Sequence, residues 1–567
     1  MRNLPFRLVV LVIASAALAS CAPNASVSRT PSENLAALAP HLRKSLMWDF
    51  PSLGGKQFPV NIYYADETTG TEVRPVIIYV RNRAWPRIGT EGDLSILTDY
   101  IQQRYIVLTL DFGDEPEATS PRIDDDINMV YRACFGYRRP SILRAIKLEP
   151  KVVRCYIMPQ GYRVATDLTY WEIDKHGAHG TLEYVMKTYN EVVVPKVEGL
   201  KPAEKPSDMV TRDGKPFDYR IQMDIIYPSQ ATKKLPVFVY SETQARRNTH
   251  HRYLFQMRGY VYVVMGHCFN PITGHYRHSK YFELDHWNGL ACYSAAMRHL
   301  NKYADQYAMD TDHVGMMGIS KGQYAVTRLL APNHIVGKES KHFEGFPHGS
   351  PEPQPWQGYP SRIHAGWQGM GMGLWENEYI TLNYAPTILA CGDNDRDVIT
   401  KDGTPRMLRA METLDVNHVY LPMEGLGHSI SLGYDKRLGV DRYRLVIDFF
   451  DRYLKVADKL PPVVLIATPR DGAEDVNPSD AIWVQFAPVI DETTIRAGKG
   501  IRVVDLGDNQ DVKGAWKVSH GGTKFFFVPD QPLEKGRQYE VSVTRAVKDK
   551  AGTALEAVRT IRFRTAE

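Results

Sequence analysis

A serine in a glycine-bounded turn is the feature of this sequence with the clearest capacity for chemistry. The motif G-x-S-x-G at 318–322 contains Ser320 and stands between an apolar run at 313–317 and a helical pattern at 324–330. In this setting of strand, tight turn and helix, the motif lifts its serine above the carboxyl edge of a sheet. The pattern predicts that Ser320 is the nucleophile of an acyl transfer.

A serine hydroxyl needs a base within hydrogen-bond reach and a carboxylate that orients the base, and candidates for both lie downstream. The apolar run 386–392 is followed by Asp393, Asp395 and Asp397. The run 419–421 is followed by a loop that contains His428. Any of the aspartates could be the orienting acid while another caps the next helix, and His428 could be the base or a loop histidine held by backbone hydrogen bonds.

In the order and setting of these residues, the chain resembles the α/β-hydrolase superfamily over about residues 217–453. The resemblance is nearest to the esterase and prolyl-oligopeptidase-like branch. It implies that the acid is Asp395, three residues after the glycine that ends the strand. It also implies that the base is His428, directly after a glycine in the last loop.

The transition state of acyl transfer places negative charge on the former carbonyl oxygen, so two donors must already point to it. One predicted donor is the backbone N–H of Lys321, whose side chain we expect to be solvated. The other should come from the loop after the run 236–240, where the candidates are Ser241, Glu242 and Thr243. Of these we select Glu242 for the oxyanion hole.

Several histidines near the predicted cleft raise the question of a metal site. Their spacing matches no helical or strand pair of ligands, and a fixed site needs three or four ligands that converge. We therefore expect ordinary loop histidines, no metal and no cofactor. The residues concerned are His267, His275, His278 and His286.

Aromatic residues are frequent between the serine and the acid, in the glycine- and proline-rich stretch 346–384. Long loops at this point of the resembled fold border the active site, and aromatic faces there could stack on sugar rings. We therefore select Trp356, Trp367 and Trp375 as substrate-binding candidates. The alternative is that these residues roof the core as a static cap.

The elements that must position these residues alternate between short apolar runs and longer helical patterns. This alternation is typical of a mostly parallel sheet with crossover helices, so an α/β catalytic domain is predicted at 210–457. Its predicted strands are 236–240, 260–266, 314–319, 386–391 and 419–421, and its predicted helices include 284–307 and 442–454.

An accessory domain is predicted at 46–196, before the catalytic one. It repeats the order of elements found at 236–266. The repeated elements are a run at 75–80, a helical stretch at 94–103 and a run at 105–111. Because strand, helix, strand is a common order, the region is either a degenerate half-copy of the hydrolase fold or an unrelated α/β or β-rich domain. Residues 152–173 are predicted to form two paired strands.

The tail at 462–567 alternates apolar and polar positions through about seven short runs separated by turn signals, which predicts an all-β antiparallel sandwich. It resembles the bacterial Ig-like domains of surface proteins in Thr468-Pro469 near its start, in Tyr539, and in its final Phe563-Arg564-Thr565. The resemblance implies a spacer or a binding module.

The first residues have the pattern of an export signal. Arg2 and Arg7 precede an apolar run at 8–18 that is too short to span a bilayer. The run leads into Leu-Ala-Ser-Cys, which ends at Cys21 and resembles the lipobox of bacterial lipoproteins. This resemblance implies that Cys21 is lipidated after removal of residues 1–20. The alternative is a secreted protein that is cleaved near Ala19 or Ser20, with Cys21 as an incidental thiol.

Composition narrows the choice of partners. The chain is 43% hydrophobic and 24% charged, as expected of a soluble globular protein, and six cysteines in 567 residues exclude a disulfide-rich scaffold. The net charge of +4 falls to +2 when the signal is removed, and no basic run stands out. We therefore predict no nucleic-acid partner, and membrane attachment through lipid after a tether at 21–45. The predicted location is the cell envelope, at the outer rather than the inner membrane.

Together these features predict a surface-anchored serine hydrolase that cleaves carboxylic esters through an acyl-enzyme. A small-molecule or polysaccharide ester is the expected substrate, which makes a carbohydrate esterase one form of the hypothesis. The alternative enzyme is a serine peptidase of prolyl-oligopeptidase type, although residues 46–189 are too short for the propeller of that group. The alternative class is a non-catalytic surface binding protein on a hydrolase fold.

Overall fold

The computed structural model describes most of the chain after residue 43. The described residues are 44–51, 57–65, 72–81, 99–112, 121–136, 141–145, 147–172, 186–187, 189–196, 198–210, 216, 220–241, 254–266, 282–331, 356, 358–370, 380–395, 398–496 and 498–567. The predicted signal peptide at 1–20 and the lipidation site Cys21 lie outside them. Among the described helices, none is both long and apolar enough to cross a membrane.

A first sheet lies in the N-terminal part of the chain. Its strands are β1 (Lys44–Pro51), β2 (Gln57–Tyr64), β3 (Val73–Arg81), β4 (Ile106–Asp111) and β5 (Glu149–Pro159). Their order across the sheet is β1-β2-β4-β3-β5. β2 is antiparallel to both of its neighbours, whereas β3 is parallel to β4 and β5. Parallel neighbours of this kind are typical of an α/β layer.

A second, larger sheet carries the predicted catalytic region. Its strands are β6 (Tyr162–Glu172), β7 (Arg220–Pro228), β8 (Leu235–Ser241), β9 (Val261–Met265), β10 (Met309–Ile319), β11 (Ala365–Gly369), β12 (Thr387–Gly392) and β13 (His418–Met423). Their order is β13-β12-β11-β10-β8-β9-β7-β6. A short hairpin follows, formed by β14 (Tyr434–Asp435) and β15 (Val440–Asp441). Of these strands, β7, β11, β14 and β15 were not predicted.

Of the eight described helices, six lie between strands of the two α/β sheets, the seventh leads into the tail and the eighth lies within the tail. They are α1 (Pro121–Phe135), α2 (Ile142–Ala145), α3 (Leu254–Met257), α4 (Phe282–Lys302), α5 (Lys321–Leu329), α6 (Val398–Thr413), α7 (Arg442–Leu454) and α8 (Thr493–Arg496). Shorter turns of helix lie at Tyr189–Val193, Val194–Lys196, Pro206–Asp208, Val456–Asp458 and His520–Gly522. α7 begins where the Asp441 carboxylate accepts the N–H groups of Tyr443 and Arg444, which is a typical N-cap.

The first five strands of the second sheet repeat the first sheet. Their order, β6-β7-β9-β8-β10, corresponds to β1-β2-β4-β3-β5, and the direction of every neighbouring pair agrees. Tyr79 pairs with Met158 in the first sheet, as Tyr240 pairs with Met317 in the second. All four side chains lie in one buried cluster. Equivalent faces of the two sheets therefore pack on a shared core.

The two strands predicted within 152–173 exist but do not pair with each other. β5 pairs with β3, whereas β6 pairs with β7 and is the edge strand of the second sheet. Gly161, at φ +89°, redirects the chain between them. β6 therefore belongs to the second sheet although it falls within the predicted accessory domain at 46–196.

The tail forms two sheets, in the orders β16-β18-β22-β21 and β17-β24-β23-β19-β20, around one buried cluster. This arrangement is a β-sandwich. The strands are β16 (Val463–Thr468), β17 (Ala473–Val476), β18 (Ile482–Ala487), β19 (Ile501–Asp505), β20 (Gln510–Asp511), β21 (Gly514–Ser519), β22 (Lys524–Pro529), β23 (Gln538–Val543) and β24 (Arg559–Thr565).

The tail packs directly on the second sheet. Leu465 and Ile466 of β16 share a buried cluster with Phe449 and Phe450 of α7. This apolar contact removes side chains of both regions from water, which favours docking.

Polar contacts complete this junction. The Gln485 side chain donates to the backbone carbonyl of His418 at 2.6 Å, and the Arg452 guanidinium contacts the Glu556 carboxylate at 2.8 Å. The rings of His418 and His520 stack with their centroids 4.1 Å apart. The tail is therefore docked on the second sheet through both apolar and polar contacts.

Candidate active site

Ser320 occupies a strained turn between β10 and α5. Its backbone has φ +54° and ψ −119°, a conformation that non-glycine residues rarely adopt. The turn is held where the N–H of Ser320 donates to the carbonyl of Gly369 at 2.8 Å. Strain of this kind persists only where the surrounding structure enforces it, and it concentrates at functional sites.

The glycines on either side of Ser320 are required by close backbone contacts. A Cβ at Gly318 would lie 2.3 Å from the carbonyl oxygen of Gly322. A Cβ at Gly322 would lie 2.6 Å from the carbonyl oxygen of Ser241. Both distances are shorter than any stable contact between such atoms, so the motif is a packing requirement as well as a sequence pattern.

Ser320, His428 and Asp395 form a continuous chain of hydrogen bonds. The distance from His428 Nε2 to Ser320 Oγ is 3.0 Å, and the distance from His428 Nδ1 to Asp395 Oδ2 is 2.8 Å. With its proton on Nδ1, the neutral imidazole donates to the carboxylate and its Nε2 accepts the serine hydroxyl. This is the geometry that a general base needs toward a nucleophile.

Burial differs along this chain of side chains. The Asp395 side chain is only 1% exposed, whereas that of His428 is 28% exposed. The carboxylate is therefore shielded from water, whereas the imidazole is partly exposed.

The other candidate acids do not take this place. The Asp393 carboxylate instead accepts the backbone N–H of Gly425 at 2.8 Å. Asp397 lies outside the described residues.

The predicted oxyanion donors are only partly described. Lys321 is the first residue of α5, and the N–H groups of a first helical turn have no partner inside the helix. Glu242 and Thr243 lie outside the described residues. Ser241 is fully buried, and its hydroxyl is 2.7 Å from the hydroxyl of Tyr293, whose pKa is raised by burial. Sequence reasoning missed this Ser241–Tyr293 contact, because nothing in the spacing of the two residues indicates it.

The tryptophan predictions need correction. Trp367 lies on β11 and is fully buried in the core shared by the two sheets, so it cannot meet a substrate. Trp356 packs edge-on against His299 in the last turn of α4, near the end of the sheet where β10 begins. Ser320 lies at the other end of β10, so Trp356 is on the opposite edge from the site. Trp375 lies outside the described residues.

The histidines considered for a metal also lie largely outside the described residues. This holds for His267, His275 and His278, and it holds for the side chain of His286. Within the described part of the chain, no group of three or more His, Cys, Asp or Glu residues could hold a metal ion.

Comparison with known proteins separates the tail from the rest of the chain. Residues 458–565 match the family model described as a bacterial Ig-like domain. No curated protein matches the sequence. The Ig-like resemblance of the tail is thereby confirmed.

Solved structures similar to the chain are esterases and α/β hydrolases. A truncated carbohydrate esterase from gut microbiota is 10% identical, covers 44% of this chain and 94% of its own, and has a TM-score of 0.30. A butyrate-bound esterase of the Planctomycetes species Thermogutta terrifontis is 14% identical, covers 42% and 88%, and has a TM-score of 0.29. An α/β-hydrolase enzyme from a Medee basin deep-sea metagenome library is 12% identical, covers 41% and 93%, and has a TM-score of 0.29.

Proposed function

We propose that this protein is a serine hydrolase that cleaves carboxylic esters through an acyl-enzyme. The observation that carries the proposal is the chain of hydrogen bonds from Ser320 through His428 to the buried Asp395, at a strained turn above the start of a helix. A strained, glycine-bounded serine has little structural purpose by itself, whereas it is what a nucleophile needs.

In the first half of the reaction, Ser320 Oγ bonds to the ester carbonyl carbon while its proton passes to His428 Nε2. The negative charge that develops on the carbonyl oxygen is stabilised by the N–H of Lys321. Asp395 accepts the Nδ1 proton in a hydrogen bond and so stabilises the imidazolium. His428 then gives its proton to the departing alkoxide, which leaves the acyl group on Ser320.

In the second half, water replaces the alcohol. His428 takes a proton from the water as the water oxygen bonds to the acyl carbon. The proton returns to Ser320 Oγ when the acid leaves, so the enzyme is regenerated without net change.

A fluorophosphonate probe tests the proposal directly, because it phosphonylates only activated serines. We expect labelling of the native protein at Ser320, identified by mass spectrometry of the modified peptide. Heat-denatured protein and Ser320→Ala should remain unlabelled. Absence of label on the native protein would favour a non-catalytic binding protein instead.

The substrate within the ester class is a separate question. With Trp367 in the core and Trp356 on the opposite edge, the aromatic argument for sugar recognition rests on Trp375 alone, which lies outside the described residues, so a carbohydrate esterase stays a hypothesis. A screen of p-nitrophenyl acyl esters, acetylated and methyl-esterified polysaccharides and peptide amides separates esterase, carbohydrate esterase and peptidase activities. Peptide hydrolysis faster than ester hydrolysis would favour the prolyl-oligopeptidase alternative.

We also propose that the protein is lipid-anchored in the cell envelope through Cys21. Cys292 is disulfide-bonded, and such bonds are typical of oxidising compartments outside the cytoplasm. Expression of Cys21→Ser in a lipoprotein-processing bacterium should move the protein from the membrane to the soluble envelope fraction. Retention of this variant in the membrane would contradict the anchor.

The first sheet is proposed to be a non-catalytic half-copy of the hydrolase fold. Its strand order and directions support this proposal. Side chains of the first sheet lie in one buried cluster with side chains of the second sheet, so we propose that the copy serves to pack against the second sheet.

A further inference from the structure

The loops that follow β12 and β13 carry Asp395 and His428, and these two loops are joined by specific contacts. The Asp393 carboxylate oxygen Oδ1 accepts the backbone N–H of Gly425 at 2.8 Å. Gly425 stands three residues before His428 and has φ +71°, so it forms a tight turn at the start of the histidine loop. Asp393 therefore contacts the turn at Gly425, from which the backbone continues to His428.

Backbone contacts bring the same loops together at two further points. The N–H of Asp393 donates to Met423 and the N–H of Asn394 donates to Leu426, at 3.3 and 3.0 Å. A Cβ on Gly392 would lie 2.2 Å from the carbonyl oxygen of Leu426. The loops are thus as close as their backbones permit.

Of the contacts between these two loops before His428, the bond from Gly425 to Asp393 is one that a single side-chain substitution can remove. On the other side of His428, Arg442 holds the loop by donating to the carbonyl of Ser431 at 3.4 Å while it contacts Asp435 at 2.7 Å. The loop is therefore fixed before and after the histidine by separate side chains.

We propose that Asp393 is a positioning residue, whose carboxylate fixes the turn at Gly425 and thereby holds His428 between Asp395 and Ser320. This inference rests on the proposed function and adds a residue to it. A misplacement of about 1 Å in a catalytic group can lower the rate by about 10²-fold, so a shift of this turn should cause a measurable loss of activity.

The test uses the full chain and three variants, with p-nitrophenyl acetate as substrate and a fluorophosphonate as probe. Asp393→Ala should lower kcat and the rate of Ser320 labelling together by about 10- to 100-fold, with KM within about twofold of wild type. Asp393→Asn keeps an oxygen that can accept the Gly425 N–H, so it should restore both rates to within about threefold.

Asp471→Ala is the matched control. In the tail, the Asp471 carboxylate likewise accepts a backbone N–H, from Arg562 at 2.9 Å, but it lies far from the site along the chain and outside the second sheet. This variant should leave kcat unchanged. If Asp393→Ala does not fold, Asp393→Glu, which displaces the carboxylate by one methylene, should show the same selective loss of kcat.

Two results would overturn the inference. The first is a kcat within twofold of wild type for Asp393→Ala, or for Asp393→Glu if the alanine variant does not fold. The second is a kcat of Asp393→Asn as low as that of Asp393→Ala. Each of these requires wild-type protein that turns over ester and reacts with the probe. Inert wild-type protein would instead contradict the proposed function, so the two failures are distinguishable.

Discussion

The two α/β sheets of this chain share a strand order and diverge after their fifth strand. In the second sheet, β10 ends at a strained turn and continues into α5, and three further parallel strands follow. In the first sheet, β5 ends at a turn that leads straight into β6 of the other sheet. The shared order therefore provides a scaffold, and the continuation after the fifth strand determines whether a site forms.

The equivalent of Ser320 in the first sheet can be assigned from strand register. Met158 and Met317 pair with equivalent tyrosines, and three residues beyond each of them stand Gly161 and Ser320. Both residues have positive φ, +89° and +54°. The tight turn is thus present twice, but Gly161 is buried and has no hydroxyl.

Two features separate the sites. A helix begins directly after Ser320, and the N–H of its first residue, Lys321, is the proposed oxyanion donor, whereas a strand begins directly after Gly161. The proposed acid Asp395 and the proposed base His428 lie beyond β12 and β13, and the first sheet has no counterpart of these strands among the described residues. The proposed active site therefore depends on the second half of the fold.

The largest fall in ester turnover is expected when a side chain of the Ser320–His428–Asp395 chain in the second sheet is removed. Ser320→Ala and His428→Ala should each lower ester turnover by about 10³-fold or more, because neither group activates the substrate alone. The double variant should lose little beyond either single one, since the residues act as a unit. Steady-state rates on p-nitrophenyl acetate measure this, and additive losses would count against the assignment.

A smaller effect is expected from crowding the turn around Ser320. In Gly318→Ala, the new Cβ would meet the carbonyl of Gly322 at 2.3 Å, so the turn must shift. We expect a loss of about 1–3 kcal/mol in the free energy of unfolding, as for other overpacked sites, and about a 10-fold lower kcat.

Gly433→Ala serves as the control for this substitution. A Cβ at Gly433 would meet only the hydroxyl of Ser431, at 3.6 Å, which is an ordinary contact. Chemical denaturation and kcat should both remain near wild type. Equal losses in the two glycine variants would show that the turn is not specially constrained.

The second sheet differs from the first also in bearing the docked tail, and this contact should be sensitive to acid. Burial, together with the neighbouring His418 and the charge of Lys524, lowers the pKa of His520 from its usual 6.5 to about 3, and burial also lowers the pKa of His418. The carboxylates of Glu412 and Asp415 act in the opposite direction on His418. Both imidazoles therefore bind a proton less readily when docked than when exposed to water.

The sign of the pH effect follows from proton uptake. Between about pH 6.5 and 3 the unfolded chain binds more protons at His520 than the folded chain, so stability falls as the pH is lowered through this range. Burial also lowers the pKa of Lys524 to about 8, and this shift makes the stability depend on pH only above about pH 8. We expect the Tm of wild type to fall by about 3 °C more between pH 7 and 4.5 than that of His520→Gln, measured by calorimetry. Equal falls in both proteins would contradict a role of this histidine.

Local sequence patterns predicted much of the second sheet. They also predicted the three side chains Ser320, His428 and Asp395 that form one chain of hydrogen bonds. The helix after Ser320 and the strands before Asp395 and His428 were expected because apolar runs and glycine turns are local signals. Burial of Trp367 was not, since its place between β10 and β12 follows from the unpredicted strand β11. The docking of the tail and the bond from Gly425 to Asp393 depend on contacts between distant segments, which spacing along the chain does not encode.

The smallest expected effect tests whether the turn itself supplies activity. In the Ser320→Ala background, Gly161→Ser places a hydroxyl at the equivalent position of the first sheet. We expect no recovery of ester turnover, because position 161 is buried and is followed by β6 instead of a helix. Gly161→Ser alone should keep wild-type kcat, although a serine at φ +89° costs about 1–3 kcal/mol of stability. Recovery of more than about 10-fold over Ser320→Ala would mean that the first sheet can assemble a site, and that the continuation after the fifth strand is not what separates the two halves.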